Sequence, residues 1–188
     1  MPPLADNVSG IKRQSHLLPD LRGSQSLVDL QKNAIKRIVC NAFDEARISA
    51  GILIFAYVVM PDHTHVLTDN AREMREVLRY LNGISAKRVI DHLRENGYES
   101  SLAKLRIQER ENRHKHSVYE YHANALRITG EDALMQKVSY IHLNPVRSGL
   151  AVHPDEYLFS SARQWHGRAL EAEPLITDQE RIKWRSAA

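Results

Sequence analysis

The sequence predicts an α+β domain, on three observations. Two long stretches repeat apolar residues at three- and four-residue steps, the helical period. Between them lies a continuous apolar run, Ile52 to Val59, which a Pro61-Asp62 turn joins to a second short apolar stretch. The chain of 188 residues, 43% hydrophobic and 26% charged, suits one soluble domain with extensions and a real core.

In chain order, Pro2, Pro3, Gly10, Pro19 and Gly23 interrupt any long element near the N-terminus. A short strand within Val8 to Leu18 is the most that this segment offers, and its pattern is weak. From Ser26, a plausible helix N-cap, Leu27, Leu30, Ala34, Ile38, Ala42 and Ala46 trace a helix that ends near Ser49-Ala-Gly51. Ile52 to Val59 reads as a strand buried on both faces. His63 to Thr68 reads as its antiparallel neighbour, with His63 and His65 on one face because alternate strand residues point the same way.

Asn70 and Glu73 have capping-box spacing before a second amphipathic helix, from Met74 to about Glu95, which Asn82-Gly83 kinks or breaks. Lys104 to His116 is charged and fits either a solvated surface or the basic flank of a nucleic-acid groove. Val118 to Ile128 alternates like a strand. Thr129 and Asp132 resemble a capping box for a helix with Leu134, Val138 and Ile141 on its buried stripe, and Pro145 stops that helix at Asn144. A turn at Pro154–Tyr157 and a short helix within Ser160 to Trp165 follow. The domain is thus read as residues 26–167, between a poorly defined segment 1–25 and a tail 168–188.

A net charge of +3 permits a nucleic-acid partner without demanding one. The lone Cys40 rules out an internal disulfide framework and suits a reducing, cytoplasmic setting. No signal pattern opens the chain and no apolar run nears the ~20 residues of a membrane span, so a membrane role is not expected.

Two segments carry candidate chemistry. His63 and His65 could reach one metal ion, although two histidines alone also fit a half-exposed strand with no ligand role. Gln136, Tyr140 and Asn144 share one helical stripe, largely off the apolar face. A tyrosine there could be a covalent nucleophile, or a half-buried packing residue.

Taken together, these segments resemble the single-tyrosine transposases with a His-hydrophobic-His motif, most nearly the REP-associated tyrosine transposases. The resemblance rests on Tyr57-Val-Val-Met-Pro-Asp-His-Thr-His-Val-Leu67, Ser85-Ala-Lys-Arg88, Tyr140-Ile-His-Leu-Asn-Pro-Val-Arg-Ser-Gly-Leu150 and Tyr157-Leu-Phe-Ser-Ser-Ala-Arg163. It implies a ferredoxin-like antiparallel sheet with helices packed on one face. It implies His63, His65 and Asn144 as ligands of Mg²⁺ or Mn²⁺, and Tyr140 as the nucleophile. The implied activity is cleavage and rejoining of single-stranded or hairpin DNA through a covalent 5′-phosphotyrosine, by a monomer or a homodimer.

Lys87, Arg88, Arg113, Arg127 and Arg147 are the candidate DNA contacts. The chain departs from the family pattern at Thr64, which is not strongly apolar, and at Ser117 to Tyr119, where a Trp-Gln pair is usual. The family's first strand is not evident before Ser26. That last departure favours one alternative, a domesticated hairpin-binding module that no longer cuts. A second alternative, from another class, is a metal-dependent phosphodiesterase in which water attacks.

Overall fold

A computed structural model of the chain describes residues 15–18, 33–105 and 126–182. In order they form β1 (Ser15–Leu18), α1 (Asn33–Ala50), β2 (Ile54–Val59), β3 (Thr64–Thr68), α2 (Met74–Glu95), α3 (Glu99–Leu105), β4 (Leu126–Ile128), α4 (Glu131–Arg147) and α5 (Ala162–Trp165). The strands make one antiparallel sheet in the order β2-β3-β1-β4. With α1 after β1 and α2 after β3, this is the ferredoxin-like arrangement. Among the described residues no helix is long and apolar enough to cross a membrane.

The first strand is present: β1 lies within the Val8 to Leu18 stretch that offers a weak short strand, and it fills the place where the family's first strand is not evident from sequence. β1 lies centrally, with His16 opposite Thr68 of β3 on one side and Arg127 of β4 on the other. Four residues, Ser-His-Leu-Leu, are too few to display a period. Such a strand is specified by its neighbours and not by its own pattern. The expected Ser26 cap, the charged stretch beyond residue 105 and most of the strand read at Val118 to Ile128 lie outside the described residues. The end of that strand is β4.

α1 and α2 bury facing stripes, Ile35, Val39, Phe43 and Ala46 on one and Val77, Leu81, Val89 and Leu93 on the other. α2 runs unbroken through Asn82-Gly83. Neither expected capping box forms: the N-caps of α2 and α4 are Glu73 and Gly130, without side-chain cap bonds. α4 also passes through Pro145, where the sequence predicts a stop. Pro145 stands in the last turn, so the helix forgoes only one internal hydrogen bond there. The end is closed instead by Gly149, at φ 70°, where Leu150 N donates to Pro145 O at 2.8 Å and Gly149 N to Val146 O at 3.0 Å. Glycine adopts this left-handed closing conformation without a Cβ clash.

Every residue of β2 and β3 is buried. The outer edge of β2 is covered by the C-terminal segment. Val59 N donates to Phe159 O at 2.9 Å and Ser161 N to Tyr57 O at 3.0 Å. Asp178 N donates to Ile54 O at 2.7 Å, and Asp178 Oδ2 accepts from Ile54 N at 3.1 Å. In a regular strand, edge-facing groups fall on alternate residues. A register shift between Ile54 and Ala56 changes the parity, which is why Ile54 and Tyr57 both face this edge. Two segments read as lying outside the 26–167 core therefore take part in it, β1 at one end and residues 173–178 at the other.

Arg163 holds this C-terminal segment together. Its guanidinium donates to the Glu173 carboxylate at 2.7 and 3.0 Å and to the carbonyls of Asp155, Tyr157 and Leu158 at 2.8–3.1 Å. All five donors are used, the fork geometry that lysine cannot reproduce. The Glu173 side chain is fully buried. Arg163→Met should therefore cost about 3–5 kcal/mol in urea unfolding, because it strands a buried carboxylate. Adding Glu173→Leu should recover part of that loss; an equal or larger loss in the double variant would contradict the network.

Candidate active site

Pro61 and Asp62 form the tip of the β2–β3 hairpin, closed where Met60 N donates to His63 O at 2.8 Å. His63 stands just before β3 and His65 within it, opposite Val58. Their rings lie 4.9 Å apart between centroids, edge to face at 76°. Asp62 Oδ1 lies 2.7 Å from His63 Nδ1. A carboxylate only accepts, so Nδ1 carries the proton and the Nε2 lone pair is left for a ligand.

α4 brings the third ring. The Tyr140 ring centroid is 5.4 Å from that of His65, at 70°. His65 is 2% exposed and Tyr140 38%, so a buried imidazole lies edge to face with a solvent-exposed tyrosine. One turn on, the buried Asn144 donates through Nδ2 to Tyr140 O at 2.8 Å, which leaves Oδ1 as the acceptor end of its amide. Gln136, from the same stripe, is exposed. His63, His65, Tyr140 and Asn144 all come from one chain.

The candidate DNA contacts are dispersed. The Arg147 guanidinium lies over the Tyr140 ring, 5.4 Å from its centroid. Lys87 pairs with Asp91 of its own helix at 2.5 Å, and Arg88 with Glu45 of α1 at 2.8 Å, so only Arg88 ties α2 to α1. Arg127 is exposed on β4, and Arg113 lies outside the described residues. Sequence reasoning missed Lys137, whose Nζ is 5.7 Å from the centroid of the Tyr140 ring. Its position three residues before Tyr140 was the signal that could have found it. It also missed the tie between Asp62 and His63.

The donors that the sequence proposes for a metal are two imidazoles and the Asn144 amide oxygen. Imidazole favours first-row transition metals and amide oxygen suits the harder ions, so the set fits Mn²⁺ at least as well as Mg²⁺. Among the described residues no group of three or more His, Cys, Asp or Glu side chains could hold a metal.

No family model and no curated protein sequence matches the chain. Solved structures do. A REP-associated tyrosine transposase bound to a REP hairpin superposes with a TM-score of 0.57 over the whole of both chains, at 14% identity. The chain has the fold of a REP-associated tyrosine transposase. A second structure, a candidate transposase of Deinococcus radiodurans R1, aligns over 75% of this chain and 95% of its own at 15% identity, and its TM-score of 0.46 is too low to add to the argument.

In this transposase fold α4 is anchored by a residue that spacing did not single out. His142, two positions from Tyr140 and 4% exposed, places Nε2 2.9 Å from Ser161 Oγ. The same hydroxyl accepts from Tyr57 N at 2.9 Å. Burial, reinforced by the nearby His166, holds the imidazole down to about 4, against a slight opposing pull from Asp155. It is therefore neutral at pH 7. Unfolded, the same group titrates near 6.5. The unfolded chain thus binds a proton that the fold refuses, and stability should fall as pH drops from 6.5 to about 4. At about 1.36 kcal/mol per pH unit the loss is roughly 3 kcal/mol. Urea unfolding at several pH values should show it, and His142→Gln should flatten that part of the profile. An unchanged slope in the variant would remove His142 as its source.

Proposed function

We propose that the chain is a member of the REP-associated tyrosine transposases that cleaves and rejoins single-stranded or hairpin DNA. The observation that carries this reading is the grouping of His63, His65 and Tyr140, from the two most specific sequence segments, around the buried His65 ring, with Tyr140 exposed beside it. The likeness to a transposase bound to a REP hairpin supports it at the level of fold. The central β1 removes the sequence argument for a decayed copy.

The Tyr140 phenol oxygen attacks the phosphorus of a backbone phosphodiester in line. The phenol proton is lost, the P–O3′ bond breaks, and the departing 3′-oxygen takes up a proton as a free hydroxyl. The product is a 5′-phosphotyrosine on Tyr140, and attack by another 3′-hydroxyl reverses the step without ATP. His63 through Nε2, His65, and Asn144 through Oδ1 would hold a divalent ion. When bound, such an ion neutralises charge on the non-bridging phosphate oxygens. Asp62 keeps the His63 ring in the tautomer that this requires. The buried His65 excludes water from its side of the Tyr140 ring.

Incubation with a labelled hairpin oligonucleotide and Mn²⁺ should yield an adduct that survives denaturation. Tyr140→Phe removes one oxygen and keeps the ring, so stability should stay within ~1 kcal/mol while cleavage and adduct vanish together. Cleavage without an adduct in wild type would transfer the reaction to water, and an adduct formed by Tyr140→Phe at the wild-type rate would refute the assignment. A separate titration should show His63→Ala weakening Mn²⁺ binding at least tenfold, with most DNA affinity retained because phosphate contacts dominate it.

A further inference from the structure

Lys137, Tyr140, Asn144 and Arg147 follow one another at steps of three and four, so they form a single stripe along α4. The two ends of the stripe fold back onto its second member. Lys137 Nζ lies 5.7 Å and Arg147 Cζ 5.4 Å from the same ring centroid. Many other cations of the fold are neutralised: Arg47, Arg72, Lys87, Arg88 and Arg163 each meet a carboxylate within 3.3 Å. Among the described residues Lys137 and Arg147 pair with none.

A carboxylate partner would fix a cation and cancel its charge. A ring face fixes the cation and leaves the charge standing. The half-buried stem of Lys137 restricts its reach further. Two oriented, uncancelled charges therefore flank the phenol on a chain whose net charge is only +3.

We propose that Lys137 and Arg147 are a phosphate clamp. They grip the sugar-phosphate backbone on both sides of the Tyr140 phenol, so that the substrate strand lies along α4. The clamp rests on the reading of Tyr140 as the nucleophile and adds to it the path of the strand. It contacts no base, so it contributes affinity without sequence preference.

The test uses the full chain carrying Tyr140→Phe, which keeps the ring and cannot form the adduct. Binding of a fluorescein-labelled hairpin oligonucleotide with a single-stranded flank is followed by anisotropy from low to high salt. Lys137→Gln and Arg147→Gln should each reduce the steepness of log Kd against log salt by about 0.7, the contribution of one single-strand phosphate contact. At 0.1 M salt that weakens binding about fivefold relative to the 1 M reference. The factor should be the same for a scrambled loop sequence, and Lys137→Arg should keep the wild-type slope.

A variant that binds DNA with an unchanged slope overturns the clamp and leaves the proposed function standing. A lower melting temperature with an unchanged slope assigns the cations to packing and also overturns it. A parent chain that binds no DNA overturns both readings, and a slope that falls for one sequence only would make the contact base-specific and refute the clamp.

Discussion

The Ser161 hydroxyl, fully buried between Tyr57 and His142, is the contact on which the position of α4 depends. It accepts from the backbone of β2 and meets the imidazole of α4, so one oxygen joins the sheet edge, the C-terminal segment and the helix. Successive helical residues are turned by about 100°, which explains the outcome. Ile141, fully buried, points into the core. His142 and Tyr140 then fall on opposite flanks, one toward Ser161 and the other toward His65. Fixing His142 on one flank therefore fixes Tyr140 over β3 on the other.

The C-terminal segment owes its own place to Arg163. A fully satisfied buried guanidinium holds residues 155–158 against residue 173, and the strand-like run at 159–161 then lies along β2. The order of dependence runs from the Arg163–Glu173 pair to Ser161, from Ser161 to His142, and from His142 to the nucleophile candidate. None of these supporting groups touches the open surface where Tyr140 stands.

Much of the fold was legible because it is periodic. The stripes of α1, α2 and α4 and the buried run of β2 follow from spacing alone. β1 was legible only as a weak short strand within Val8 to Leu18, because four residues between two partners show no period. Pro145 misled because its cost depends on where in a helix it falls, and a glycine closure four residues later absorbed it. At the site, His63, His65 and Tyr140 were legible as members of their own elements. Lys137 is a matter of one helix face, but its significance appears only with the ring between it and Arg147. Asp62, His142 and Ser161 act through the tautomer, burial and cross-chain contact that spacing does not encode. The same is true of Lys87 and Arg88, whose carboxylate partners lie on their own helix and on α1.

The most direct test is the distance between a bound ion and the Tyr140 ring. In protein carrying ¹³C-labelled tyrosine, substoichiometric Mn²⁺ broadens ring signals according to their distance from the metal. Of the seven tyrosines, Tyr140 should broaden first, and the effect should be lost in His63→Ala. A different tyrosine broadening first, or a Tyr140 response unaltered by His63→Ala, would contradict the account that the two histidines and this tyrosine form one site.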